Sequence, residues 1–200
     1  MELVTPVCRL RPWTTADKAA LVEAGNNRKV WRNLTHLFPH PYTGADADQW
    51  FEFVAAAAPD THLAIEADGR AIGAISAVVG LGIFARSAEF GYWLGEPWWG
   101  RGIATAASIA YTRWFMRTHQ LHRMQAYVFA WNKPSMRVLE KTGFVREAVL
   151  ARGAVKDGQV VDEMLYALTD QRLHMLRAPL RVVADGQRER EWLEAGSALA

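Results

Sequence analysis

The chain has a single cysteine among its 200 residues, so Cys8 has no partner for an intrachain disulfide, and no cysteine/histidine cluster has zinc-ligand spacing. A reducing cytoplasm is the expected compartment, and no metal is expected. Long hydrophobic runs are missing too. The longest uncharged apolar stretch, Ala71 to Ala85, is interrupted by Gly73, Gly80 and Gly82 and is too short for a membrane helix. The opening MELVTPVCRLRPW lacks the apolar centre of an export signal. Nor is there an excess of one charge. The 23 Lys and Arg against 21 Asp and Glu give no field that would draw the chain to nucleic acid or to an anionic membrane surface.

What is present is enough apolar chain, half of all residues, to bury one domain core. Nine tryptophans point to aromatic-lined clefts or interfaces. Thr14 with Asp17, and Thr43 with Asp46, have capping-box spacing and predict two early helices, one ending at Gly25 and one running through Ala47, Trp50, Phe51 and Val54 to Pro59. His62 to Ala67, Asp68-Gly69 and Ala71 to Val79 read as strand, two-residue turn and strand. Glu89 to Leu94 is a further strand. It runs into a glycine-bearing loop and then a helix with Ile103, Ala107, Ala110, Tyr111 and Trp114 on its apolar face. Met124 to Phe129 is a strand, Asn132 to Thr142 a short helix closed by Gly143, and two strands flank Asp157-Gly158. The polar remainder from about Arg177 predicts a helical stretch near Gln187 to Glu194, an appendix that packs on the domain or on a neighbouring subunit and leaves a homodimer open.

Two segments carry chemistry. In Leu94-Gly-Glu-Pro-Trp-Trp-Gly100-Arg101-Gly102-Ile103-Ala104-Thr105, glycines between a strand and a helix let the backbone approach a ligand, and free amides at the helix start suit a phosphate or pyrophosphate. The loop lacks the Gly-Lys-Ser/Thr of a Walker motif and the full pattern of a dinucleotide fold. A glycine-rich connection that merely packs would look the same. In Asn132-Lys-Pro-Ser135, Asn132 can cap the helix and Pro134 fits its first turn. That explains the segment structurally, yet it also puts the Ser135 hydroxyl where a ligand between neighbouring strands can be reached.

Together, in this order, the segments resemble the GNAT family of acyl-CoA-dependent N-acetyltransferases, most closely the branch similar to the ribosomal-protein-alanine N-acetyltransferases. The resemblance rests on Glu89-Phe-Gly-Tyr-Trp-Leu94, Trp-Trp-Gly100-Arg-Gly102-Ile-Ala104-Thr, Asn132-x-x-Ser135 with Val-Leu-Glu-Lys-x-Gly-Phe144, and Asp162-x-x-x-Tyr166-Ala-Leu. Arg9-Leu-Arg-Pro-Trp and Pro41-Tyr42-Thr43 add to it. It covers residues 7–176, leaving 177–200 as the appendix. It implies an α+β fold whose mixed, mostly antiparallel sheet splays beside Leu94 and is flanked by helices. Acetyl-CoA is then the acyl donor, with pantetheine in the split and pyrophosphate on the amides of Gly100 to Thr105.

The resemblance further implies direct acetyl transfer to a primary amine, on a peptide N-terminus or a small molecule. By that resemblance Ser135 is placed to protonate the departing thiolate and Asn132 to orient it or an intervening water; Glu89 is the preferred base or water-chain anchor, although a carboxylate on a strand also reads as an exposed or salt-bridged residue. Trp31, Phe38, Tyr42 and Trp50 wall the acceptor cleft or belong to the core, and His36, His40 and Tyr42 of the expected substrate loop are alternative bases or shape the pocket. Two departures stand out. Trp99 replaces the usual Gln or Arg at the head of the phosphate loop, and Ala154 lies about where some relatives carry a carboxylate. The second departure keeps open a non-catalytic acyl-CoA sensor. His119 and His122 read as structural, and Arg28, Lys29 and Arg32 as a solvated helix face or an attraction for an acidic peptide.

Overall fold

Two Asp-Gly pairs fix two hairpins, because a two-residue turn that follows strand twist needs positive φ at both centres. Asp68 and Gly69 sit at φ 50° and 74°, Asp157 and Gly158 at 55° and 72°. The first joins β3 (His62–Ala67) to β4 (Arg70–Val79), and the second joins β7 (Val145–Lys156) to β8 (Gln159–Thr169). The protein is described here from a computed structural model, which covers residues 1–173, 181–184 and 187–191.

Around these hairpins lie β1 (Glu2–Val4), β2 (Arg9–Arg11), β5 (Ser87–Leu94), β6 (Arg123–Phe129), β9 (Arg181–Ala184) and β10 (Gln187–Glu191). The helices are α1 (Lys18–Gly25), α2 (Arg28–Trp31), α3 (Gly44–Ala56), α4 (Ile103–Thr118), α5 (Lys133–Lys141) and α6 (Asp170–Leu173). One sheet takes the order β10-β9-β1-β2-β3-β4-β5-β6-β8-β7. Every neighbouring pair is antiparallel except β5 with β6. The expected α+β class with a mixed, mostly antiparallel sheet is therefore present.

Strand alternation gives the sheet two apolar faces. Phe90, Met124 and Tyr166 pack with Tyr111 and Phe115 of α4 and Leu139 of α5. Ala64, Ala74 and Trp93 face the other way, onto Leu21 of α1 and Ala47 of α3. The caps form where the spacing predicts them. Asp17 accepts from Thr14 N at 2.9 Å, and Asp46 accepts from Thr43 N at 2.7 Å.

The helix expected near Gln187 to Glu194 is corrected: Gln187–Glu191 is a strand paired antiparallel with β9, which itself pairs with β1. The segment carries a third Asp-Gly pair, Asp185-Gly186, between two short runs, and that turn signal outranks the weak helical spacing. Residues 192–194 of that expectation lie outside the described residues.

Candidate active site

The parallel pair β5/β6 separates early. Its register runs only from Ser87 opposite Arg123 to Glu89 opposite Gln125, although β5 continues to Leu94 and β6 to Phe129. Beyond Glu89 the strands part and leave a cleft of about 490 Å³ between Phe90–Leu94 and 126–129.

The split leaves backbone groups unused. Gly95 N donates to Ile72 O at 2.8 Å, which puts Gly95 opposite Ile72 in a hydrogen-bonded position. Antiparallel pairing alternates, so the polar groups of Leu94 and Tyr92, one and three residues back, point away from β4 and toward the opening. Trp99, exposed on the loop, donates its indole N–H to Leu94 O at 2.8 Å. The aromatic ring at the head of the loop thus ties the loop to the end of β5.

Behind this edge is a second hollow of about 240 Å³, bounded by residues 98–105 and α5. Gly100 and Gly102 adopt φ 75° and 77°, and a Cβ at either would meet nothing within 4 Å, so the loop presents bare backbone to open space. Gly102 is the N-cap of α4 and brings no capping side chain. The first amides of that helix, Gly102 to Thr105, accordingly lack intrahelical acceptors and carry the positive end of the helix dipole. Arg101 leans over the Trp98 ring at 4.9 Å, and Arg137 and Lys141 border the hollow from α5. Its lining holds three cationic side chains and no carboxylate. That donor set fits a pyrophosphate with its phosphates on backbone amides. Arg137 and Lys141 were not singled out from the sequence; their i, i+4 spacing on the capped helix was the available signal.

Ser135 and Asn132 stand at the start of α5 as their spacing predicts. Asn132 Oδ1 accepts from Ser135 N at 3.2 Å, the N-cap bond. Ser135 Oγ lies 3.0 Å from Tyr92 Oη on β5, a contact that spans the split. Burial pushes the Tyr92 phenol up to about 12, with the Ser135 hydrogen bond acting in the opposite sense, so it is neutral at ordinary pH. Tyr92 was not predicted as a site residue. Its alternation with Phe90 and Leu94 in β5 marks its face, but only the tertiary fold brings α5 against it.

Glu89 lines the cleft, exposed, an odd number of residues from Tyr92 and therefore on the opposite face of β5. A second carboxylate joins it, Glu163 of β8, which no motif in the sequence marks. Burial raises the Glu163 carboxyl, and the Glu89 charge raises it further. Ala154 pairs with Val161 across the β7/β8 ladder.

The four aromatic candidates are placed otherwise. On the α2 side the cleft is lined by Lys29, Val30 and residues 32–35, and not by Trp31, Phe38, His40 or Tyr42. Tyr42 is buried, stacked on Phe38, whose edge meets Trp93. Trp31 stacks on His40, and Lys156 Nζ lies 3.9 Å from its ring centroid. Phe38 and Tyr42 belong to the core beside Trp93, whereas Trp31 and His40 contact each other and the Lys156 side chain off the cleft lining. His36 is exposed. His119 pairs with Asp60 and His122 with Asp170, both at 2.8 Å. Among the described residues no group of three or more His, Cys, Asp or Glu could hold a metal, and no helix is long and apolar enough to cross a membrane.

Comparison with known proteins agrees with this geometry. Residues 8–145 match the acetyltransferase (GNAT) domain family. The chain is 24% identical over 149 residues to an uncharacterized N-acetyltransferase of Bacillus subtilis, YokL, covering 74% of this chain and 82% of that one. It is 37% identical over 79 residues to the [ribosomal protein uS5]-alanine N-acetyltransferase of Escherichia coli K12, a match that spans only 40% of this chain and 41% of that enzyme. Among solved structures, Mycobacterium smegmatis RimJ in complex with CoA-disulfide superimposes with a TM-score of 0.75 at 30% identity, covering 86% of this chain and 88% of that one. A GNAT acetyltransferase from Bacillus anthracis shares the fold, with a TM-score of 0.75 at 21% identity over 86% of this chain and 99% of that one.

Proposed function

The chain belongs to the GNAT family of acetyltransferases, and from that premise we propose that this acyltransferase moves an acetyl group from acetyl-CoA directly to a primary amine, on a protein N-terminus or a small molecule. The observation that carries the reading is the split between β5 and β6. It opens between a hollow lined with bare amides and cations on one face of the sheet and a cleft bearing carboxylates on the other.

Acetyl-CoA supplies an activated acyl carbon and a thiolate leaving group. The amides of Gly100, Arg101, Gly102, Ile103, Ala104 and Thr105, backed by Arg137 and Lys141, hold the pyrophosphate. The backbone edge at Tyr92 orients the pantetheine arm as an extended strand would be oriented, and the Leu94 N–H, whose own carbonyl is taken by Trp99, polarises the acyl carbonyl. Ser135 gives a proton to the departing sulfur. Asn132 fixes the helix turn that carries Ser135, and Tyr92 holds its hydroxyl. On the other face Glu89 anchors the path by which the acceptor loses its proton. Trp31, Phe38, His40 and Tyr42, outside the lining itself, support the segment 32–35 that borders the acceptor. Similarity to enzymes that act on alanine of a ribosomal protein makes a peptide with a free N-terminal alanine the first acceptor to try.

The test is thermal unfolding with and without acetyl-CoA, followed by thiol release across a panel of N-terminal peptides and small amines. Stabilisation by acetyl-CoA with turnover of at least one amine is the expected outcome. No thermal shift at millimolar acetyl-CoA would remove the reading, and binding without turnover of any amine would favour a sensor.

A further inference from the structure

Most of the partly buried carboxylates of this protein are neutralised by a cation. Asp17 lies against Arg11, Glu66 against Arg9 and Arg11, and Glu96 against Lys29. Glu163 is the contrast. It is half-buried in the cleft wall, and among the described residues no cation pairs with it.

The backbone around Glu163 is shaped to present it. In the β7/β8 ladder Leu150 pairs with Glu163 and Ala154 with Val161, so residues 151–153 of β7 lie opposite Asp162 alone. Such a bulge re-aims the neighbouring side chain. Its strained residue, Arg152 at φ 56°, is held by a bond from its N–H to Asp162 Oδ1 at 2.7 Å. A methyl group on Gly153 would sit 3.0 Å from Leu150 O, 3.1 Å from Leu150 Cβ and 3.2 Å from Glu163 Oε2, so glycine lets the bulge close over Leu150 beside the carboxylate. On the other side Glu163 pairs with Phe129, the last residue of β6 and one edge of the split.

We propose that Glu163 takes the proton from the acceptor's ammonium, with Glu89 as the second carboxylate that holds that ammonium in the cleft. The assignment rests on the acetyl-transfer reading above and deepens it. The ammonium gives one proton to the Glu163 carboxylate and becomes a neutral amine. Its lone pair forms the C–N bond at the acyl carbon as the C–S bond breaks, and the nitrogen sheds its second proton. Ser135 protonates the thiolate and is reprotonated from that second proton. Glu163 returns the first to solvent. The sum is ammonium plus thioester to amide, thiol and one released proton.

The groups facing Glu163 suit this task. Glu89 faces it from β5 and Tyr127 from β6, while Lys29 and Arg32 line the far wall of the same cleft, and Arg152 and Asp162 flank the bulge. The two cations on the far wall are engaged elsewhere, Lys29 with Glu96 and Arg32 over the Trp131 ring at 4.6 Å. Burial and the Glu89 charge therefore act on Glu163 in the same direction, holding its carboxyl above the usual range and making it a better proton acceptor than a surface carboxylate.

Two measurements test the assignment. Carboxyl-carbon NMR titration of the whole protein needs no acceptor. Glu163 should titrate above the ordinary glutamate range and move down toward it in Glu89→Gln. In steady-state assays with saturating acetyl-CoA and an alanine-initiated hexapeptide or spermidine, Glu163→Gln should lower kcat roughly 10- to 1,000-fold and abolish the carboxylate limb of the kcat/KM profile. The thermal shift given by acetyl-CoA should stay as in the unmodified protein. An ordinary Glu163 titration, or a Glu163→Gln enzyme with full kcat and the limb intact, overturns the proposal. Loss of both thermal shift and thiol release in the unmodified protein would overturn acetyl transfer instead, and the titration would still report separately on Glu163.

Discussion

Tyr92 Oη and Ser135 Oγ, 43 residues apart in sequence, meet at 3.0 Å across the split in the sheet. Because burial holds the phenol neutral, up to about 12, Tyr92 can donate to Ser135 and leave the serine proton free to move toward sulfur. Ser135→Ala should then lower kcat roughly 10- to 1,000-fold with little change in acetyl-CoA affinity. Tyr92→Phe should cost less, since it removes only the partner that orients the donor. Equal loss in both variants and in the double variant would mean that they act as one unit. A Ser135→Ala enzyme with unchanged kcat, measured where chemistry limits turnover, would leave the serine as a helix-start residue.

Gly102 and Gly69 form a matched pair. Both have φ near +75° and neither has an atom within 4 Å of the place a Cβ would occupy, so valine at either should cost about 1–2 kcal/mol from the left-handed backbone alone. Comparable falls in melting temperature are expected. Only Gly102→Val should also lose the acetyl-CoA thermal shift, because only that side chain would fill the space before the first amides of α4. Retained cofactor affinity in folded Gly102→Val would move the phosphate site elsewhere.

Those glycines were legible in the sequence because turn chemistry is local. Asp68-Gly69 and Asp157-Gly158 announce their own backbone angles, and Thr14 with Asp17 announces a cap. Strand limits follow local pattern as well: the sequence predicts His62–Ala67 at its observed limits and starts β5 at Glu89, two residues after its observed start at Ser87. What local pattern could not supply was pairing. Nothing in Glu89 to Leu94 says that its parallel partner leaves after Gln125, and that departure is what creates the cleft. Glu163 is not legible for the same reason, since its place in the cleft wall follows from the pairing of β8 with β6 and with the bulged β7. Cleft wall and core remain equal readings of Trp31 and Phe38 in the sequence, and only the fold separates them: Phe38 packs in the core, while Trp31 meets His40 and Lys156.

The α1 entry is locked by Arg11, which bonds Asp17 through both terminal guanidinium nitrogens at 2.7 Å and contacts Glu66 through Nε. Burial alone would raise both carboxyls, but hydrogen bonds from Arg11, together with those from Thr14 to Asp17 and from Arg9 to Glu66, hold both below their usual values. The stability they contribute is thus fully present above the ordinary carboxylate range and is lost as pH falls through the depressed values. Urea unfolding should show this loss below about pH 4. Arg11→Met should be destabilised by about 3 kcal/mol at neutral pH and should lose less on acidification. An unchanged acid slope in the variant would show that the guanidinium does not set it.

The acceptor wall is anchored at the other end of the sheet, where Lys156 near the tip of the β7–β8 hairpin lies buried beneath the Trp31 ring and Asp157 pairs with Arg28 at 2.6 Å. The Arg28 pair is exposed and adds little, so the ring and the lysine stem should hold α2 in place. Burial lowers the Lys156 pKa, against a smaller upward pull from Asp157. A lysine with a depressed folded value is penalised while charged, and that penalty is relieved as pH rises from the folded value toward the ordinary one near 10.4. Lys156→Met keeps the stem and removes the charge. The stability gap between Lys156→Met and the unmodified protein should therefore favour the variant at neutral pH and close on the alkaline side. Trp31→Ala removes the platform itself. It should raise the acceptor KM while leaving the acetyl-CoA thermal shift unchanged, because residues 32–35, which line the cleft, follow directly from α2 and the cofactor loop does not. If Trp31→Ala instead weakened acetyl-CoA binding with the acceptor KM untouched, the wall would belong to the cofactor and the acceptor would enter from another side.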